Sequence, residues 1–270
     1  MVVLAMLLLA LLLEVSAVGS VRHARAQAAA YDDFRYQLAN GTGPVGQTDQ
    51  AGHLLALGTP VALVQAPAIG LDEVVFEGTT SSVLADGPGH RRDTVLPGQT
   101  GVAIVVGRRA GYGGPFAHLA DLRSGDAITV TTGQGVHEYR VDGVRNAGDV
   151  TPPVDAETAR LTLATATGRP YLPTEVVRVD ATLVSEPVPA KAPVLGAASL
   201  LPSEAFMAGD PSTALPLYLW AQALLLSGVC LVLLRRWWGR WQSWVVAVPV
   251  LTLCSLGVAH QFAMLLPNLT

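Results

Sequence analysis

Thiol chemistry is the first possibility this sequence raises, and it rests on two residues only, Cys230 and Cys254. Both sit inside long apolar runs, so the polar part of the chain holds no disulfide, no cysteine metal site and no thiolate nucleophile. A cysteine in such a run behaves as a small hydrophobe, and packing is the expected role of this pair. A threonine hydroxyl can attack a carbonyl only with an adjacent base. His90, His118 and His137 are the bases on offer, each useful only if the fold carries it to a hydroxyl. His118 is expected on the surface, Asp126 after Gly125 in a turn, and Tyr112 among Gly111, Gly113 and Gly114 in a flexible loop. No metal and no cofactor is expected.

These residues need elements to position them, and the first such elements are membrane helices. A chain of 270 residues that is 50% hydrophobic and 14% charged is too apolar for an ordinary soluble domain. The net charge of −4 comes with no basic cluster interleaved with aromatics, which excludes nucleic acid as a partner. Lys191 is the only lysine, and the richness in Arg, Ala, Gly and Pro suits a high-GC bacterium, of the actinobacterial kind.

Crossing about 30 Å of hydrocarbon takes roughly 20 apolar residues. Residues 214–234 carry no charge and end at Arg235, Arg236, Trp237, Trp238, Gly239 and Arg240, a basic and aromatic cluster typical of a cytoplasmic face. Residues 244–266 run back without a charge, with His260 and Gln261 near the far end, facing headgroups or a neighbouring helix. Residues 1–24 are long enough to span, although Glu14 interrupts them and no basic residue precedes them. An uncleaved anchor is the expectation there, with a signal peptide as the alternative.

The short arginine loop at 235–243 belongs inside, which puts the large polar domain outside, in a multi-pass protein of the cell membrane. Arg22 and Arg25 argue the other way and are outvoted. Ser227, Gly228, Ser255 and Gly257 would let the helices at 214–234 and 244–266 approach integral membrane partners closely.

Between the helices the pattern is that of short strands: 61–64, 74–76, 102–106, 127–131, 138–141, 161–165 and 176–184 are rich in β-branched residues and bounded by turn residues. Leu161, Leu163 and Thr165 alternate with Thr162 and Ala164, as in a strand with one face in a core. Such spacing predicts a closed barrel at 58–186, and a mainly β protein with about three transmembrane helices. Residues 155–160 read as a helical turn, 25–57 as a stalk with a short helix at 31–38, and 187–213 as a Pro/Ala-rich, semi-extended linker.

The order of motifs in this region resembles the sortase family, especially its class D and class E members from Gram-positive bacteria. The resemblance is carried by the stretch Val64 to Leu71 with Pro67, by Glu77, Gly78 and Thr79, and by Gly87, Pro88, Gly89 and His90. It continues through Leu96, Pro97, Gly98, Gln99, Thr100 and Gly101, then Pro115, Phe116, Leu119, Leu122, Gly125, Asp126, Tyr139 and Val141. The resemblance implies a sortase-like closed barrel.

It also implies a histidine directly after Gly107, where Arg108 and Arg109 stand, and a cysteine after Thr165, where Ala166 stands. The family's arginine falls near Glu175 or Val176, and Arg178 is the nearest candidate. Thioester chemistry needs a thiolate, and an arginine is not a general base at accessible pH. These departures predict a degenerate homologue that is not an enzyme, a pseudoenzyme acting as an accessory or scaffold subunit of a larger cell-envelope or transporter complex. The alternatives are a transpeptidase or hydrolase with a threonine nucleophile, Thr165 or Thr167, and a non-catalytic binder of surface-protein tails. Arg108, Arg109, Thr165, Ala166, Thr167 and Arg178 are the candidates to line the groove, where a peptide is the candidate ligand. Pairing with acids such as Asp93 or Glu175 is the expectation for the arginines, and holding a carboxylate or phosphate the alternative.

Overall fold

A computed structural model describes residues 2–150, 153, 158–169, 171–191, 193–238 and 240–269. Of the helical turn expected at 155–160, residues 155–157 lie outside the described residues and Ala159 and Arg160 instead open a strand, and the side chains of the arginine and tryptophan cluster at 235–240 also lie outside them.

Eight strands close into a barrel: β1 (Pro60–Ala66), β2 (Leu71–Glu77), β3 (Gly89–His90), β4 (Gly101–Val106), β5 (Ala127–Thr132), β6 (Gly135–Arg145), β7 (Ala159–Arg169) and β8 (Leu172–Leu183), in the order β1-β2-β3-β4-β7-β8-β6-β5. Closure leaves no edge strand to be covered. Alternate residues fill the interior: Val64, Val75, Val105, Ile128, Val130, Tyr139, Leu161, Leu163 and Val179 form one buried cluster. The β3 strand escapes sequence reading because two residues cannot display a period.

The pairing of β4 with β7 is parallel, with Val106 opposite Ala164, whereas β7 and β8 run antiparallel, with Ala164 opposite Arg178 and Ala166 opposite Val176. Cross-strand partners share a face. Ala164, Ala166, Val176 and Arg178 therefore point together to the outside of the barrel, while Leu161, Leu163 and Thr165 point in.

The expected stalk is instead built against the barrel. Helix α1 (Val2–Leu13) continues through a π-turn at Glu14–Val18 into α2 (Gly19–Ala39), far beyond the short helix foreseen at 31–38. The Gln27 side chain takes the place of a missing strand neighbour for β2: its Nε2 donates to Val74 O at 3.1 Å and its Oε1 accepts from Val74 N at 2.7 Å. His23 pairs with Glu73 at 3.0 Å, and Ala30 and Phe34 are buried.

The expected linker is likewise docked. Val188 exchanges backbone bonds with Gly98 and Thr100, Gln47 Oε1 accepts from the amides of Val194 and Leu195, and Arg92 holds Glu204 in a two-pronged ion pair at 2.8 and 2.9 Å. Helix α3 (Ser81–Asp86) caps the barrel beside β4, its first turn closed by Thr80 Oγ1 accepting from Val83 N.

Helices α4 (Ala214–Trp238) and α5 (Arg240–Leu265) pack as a hairpin beside α1. Three segments, Leu7–Ala39, Pro211–Leu234 and Val245–Leu265, are long and apolar enough to cross a membrane. Leu7, Trp220, Leu224, Ala247, Leu251 and Cys254 share one cluster, and a Cβ on Gly257 would strike the Trp220 ring. Close approach at Gly257 is thus spent within the chain, while the space at Gly228 is open. Glu14, at the start of the π-turn after α1, meets His260 of α5 at 2.7 Å.

Candidate functional site

The groove lies where β4, β7 and β8 end beneath α3. The chain leaves β4 at Gly107, whose amide donates to Ala164 O at 3.0 Å and whose carbonyl accepts from Thr165 Oγ1 at 2.8 Å. Glycine is required at this position by crowding. A Cβ would sit 2.6 Å from the Phe116 ring, itself wholly buried. Gly107→Ala is therefore expected to cost about 1–3 kcal/mol by forcing the ring aside, read as a lower thermal midpoint in detergent; an unchanged midpoint would refute this packing.

Arg108 follows, 1% exposed. Its guanidinium donates to Ser81 O at 3.1 Å and Leu84 O at 3.2 Å, and lies over the Tyr112 ring at 4.8 Å. Burial pulls its pKa down to about 10, and burial likewise pushes the Tyr112 hydroxyl up to about 12. Tyr112 has φ 52° and is buried. The flexible glycine loop foreseen around it is thus a packed corner, because the ring fills space among Val15 of the π-turn, Ala85 of α3, and Ala263 and Met264 near the end of the last long helix.

Arg109 turns the other way and donates to Gly168 O at 2.6 Å. Arg178 stacks on Phe206 at 5.6 Å, opposite Arg91 at 5.4 Å, and burial followed by the nearby Arg145 lowers its pKa. The three arginines, whose alternative role is to hold one anion, are thus each committed to separate partners. Asp93, a foreseen partner for them, pairs with Arg91 at 2.7 Å.

Thr165 is buried in the barrel with its hydroxyl spent on Gly107 O, and Thr167 is half-buried opposite Glu175. The three histidines lie elsewhere. His118 is exposed beside Asp121 at 3.0 Å, His137 meets Thr132 at 3.0 Å, and His90 pairs with Glu77 at 2.8 Å. Among the described residues no hydrogen bond joins a histidine to Thr165 or Thr167.

Sequence reasoning missed what fills the groove. Leu269 is wholly buried in a cluster with Leu84, Val106, Ala164, Ala166 and Val176, against Phe206 and Met207. Beside Ala166 and Leu269 there remains a gap of about 10 Å³, no more than one water requires (~10–15 Å³). Asn268 is 1% exposed. Its amide nitrogen donates to Thr79 O at 3.0 Å and Ser203 O at 2.8 Å, its oxygen accepts from Ser81 Oγ, and its backbone N–H donates to Ala208 O at 2.7 Å. Arg109 N donates to Leu269 O at 3.1 Å.

A closed eight-stranded barrel with a walled groove at the ends of two parallel strands, carried with three apolar helices, defines a class of sortase-type domain. Residues 64–183 match the sortase domain family. The fold is shared with a Clostridium perfringens sortase D5 transpeptidase, 21% identical over 60% of this chain and 99% of that one, TM-score 0.50. Sortase E from Streptomyces avermitilis matches at 29% identity over 56% of this chain and 100% of that one, TM-score 0.42, and a variant of it at 30% over 48% and 91%, TM-score 0.41. No curated protein matches. The chain carries a sortase domain.

This family match corrects the expectation that the protein is not an enzyme. The matched domain points to a transpeptidase enzyme family, and nothing among the described residues demonstrates inactivity. The earlier inference went too far for a physical reason. Placing Ala166 and Arg108 at the family's motif positions rested on local spacing alone, and local spacing does not decide which side chains act in the groove.

Proposed function

We propose that the protein is a membrane-anchored sortase-family component of cell-envelope transpeptidation, which recognises a peptide in the groove bounded by α3, β4, β7 and β8. In this reading the three apolar helices span the membrane, the barrel stands outside, and the lipid-facing side of α4 joins an integral membrane partner. The observation that carries the proposal is the way the groove already grips a peptide segment: Asn268 and Leu269 are held by backbone bonds from Arg109 and to Ala208, with both side chains buried. Support for the partner comes from α4, whose Leu225, Leu226, Val229, Val232 and Leu233 are more than half exposed. An apolar face of that size needs lipid or another helix.

The test is a sorting-signal peptide, titrated into the millimolar range, offered with an amine acceptor to the protein in nanodiscs. Saturable peptide binding is expected. Turnover lost on Thr165→Ala or Thr167→Ala would assign a hydroxyl to the acyl step, and absence of peptide binding would overturn the proposal. Co-purification of a membrane partner is expected from gentle detergent; a lone monomer would remove the assembly half of the reading.

A further inference from the structure

The segment after α5 behaves as a ligand would. Nothing in an α-helix requires its following residues to be buried in another domain, yet residues 267–269 leave α5 and enter the groove of the barrel. Asn268 is matched atom for atom, its two amide hydrogens to carbonyls of Thr79 and Ser203 and its oxygen to the buried Ser81 hydroxyl. A buried amide is costly unless so paired, and its fit selects against side chains that lack one donor or acceptor. One residue on, Leu269 fills an apolar pocket floored by Ala164 and Ala166 and walled by Leu84, Val106 and Val176. The small side chains of the two alanines make the room that the leucine takes. One backbone bond at Ala208 and one at Arg109 hold the segment on either side.

Resting on the peptide-binding reading above, we propose that residues 267–269 are an intramolecular ligand occupying two adjacent subsites, an amide subsite at Thr79, Ser81 and Ser203 and a leucine subsite at Ala164 and Ala166. The ligand class of the groove is then a peptide that presents asparagine followed by an aliphatic residue in a turn. Because the segment continues directly from α5, the groove is closed by the same helix that packs on α1 and α4, and a shift of α5 opens it. A peptide in trans competes with a tethered segment whose effective concentration is high, on the order of millimolar, so the intact chain resists ordinary peptide concentrations.

The test uses the full chain in nanodiscs carrying Cys230→Ala, Cys254→Ala and Ala166→Cys, compared with the same chain ending at Leu266 and with a Leu269→Ala version in case the shortened chain does not fold. Two readouts apply: the maleimide labelling rate at position 166, and binding of a fluorescent peptide with the sequence of residues 263–269. Labelling is expected at least tenfold faster in the shortened chain and several-fold faster with Leu269→Ala. The peptide is expected to bind the shortened chain at least tenfold more tightly than the full chain, and to lose at least tenfold when alanine replaces its asparagine. Equal labelling rates in all three proteins would overturn the proposal, as would faster labelling without peptide capture, which would make the segment a fixed seal. Binding of a sorting-signal peptide to the shortened chain, together with failure of the 263–269 peptide, would sink this inference alone and leave the proposed function standing.

Discussion

Arg108→Ala is expected to lower the stability of the barrel by roughly 3–5 kcal/mol, although it removes a buried charge. Two effects oppose. Burial disfavours the cation, as its depressed pKa of about 10 records, so deleting it relieves that cost. Against this, Ser81 O and Leu84 O each lose a charge-assisted donor in a site with no room for solvent, the stacking on Tyr112 goes, and a cavity opens where a fully buried side chain stood. Unsatisfied buried carbonyls cost about 1–3 kcal/mol each, and the stacking and cavity add to that, so the loss wins. Arg108→Lys is expected to recover less than half of it, because a compact ammonium cannot serve both carbonyls while lying flat on the ring. Thermal and denaturant unfolding in detergent measure this. A variant as stable as the parent would mean that the guanidinium carries strain rather than structure, and the account of α3 docking onto β4 would fall.

The second large effect concerns Glu77 and His90, buried at 2% and 0% exposure and joined at 2.8 Å, with His90 Nε2 reaching Val95 O at 2.9 Å. Glu77→Ala is expected to cost about 3–5 kcal/mol, the usual penalty for breaking a buried pair from one side. Burial alone would lower the pKa of His90, but the charge and hydrogen bond of Glu77, the Val95 carbonyl and the more distant Asp93 outweigh it, and the net shift is upward. A histidine raised in the folded state above its unfolded value of about 6.5 contributes fully below that pH. Its contribution is lost as pH climbs through the folded-state value. Stability of the parent protein is therefore expected to decline above about pH 6.5, and Glu77→Gln, which keeps the shape without the charge, is expected to flatten that decline. Melting temperatures measured across neutral and alkaline pH decide the point; a parent profile as flat as that of Glu77→Gln would refute the imidazolium pair.

Much of the fold was legible because strands and spans are local patterns. Seven of the eight strands announced themselves by β-branched runs between turn residues, and the exception, Gly89–His90, is too short to carry a period. The apolar segments around 214–234 and 244–266 were readable for the same reason, since length and hydropathy are properties of a contiguous window. The stalk and the linker misled. Their composition is polar and broken by glycine and proline, and what orders them lies far along the chain: Arg92 reaches Glu204 across 112 residues, and Gln47 reaches Leu195 across 148.

The candidate site divides the same way. Motif order put Gly107 directly after β4, but β7 runs on to Arg169, so Thr165 and Ala166 lie within that strand with Thr165 facing inward, and Arg108 was located along the chain but not in space. Position after a strand fixes where a backbone goes; it does not fix whether a guanidinium turns toward the groove or toward the carbonyls of α3. Nor could any pattern have paired Asn268 with Ser81, 187 residues away.

By itself the sequence determined the barrel, the apolar helices and the confinement of both sulfur nucleophiles to those helices, because each follows from residue type and local period. Only the tertiary structure decided that Arg108 is an internal strut, that Glu77 and His90 form a buried pair, and that the segment after α5 lies in the groove. Those facts depend on which distant surfaces meet, and hydrogen-bonding capacity written in a side chain does not name its partner until the chain has closed around it.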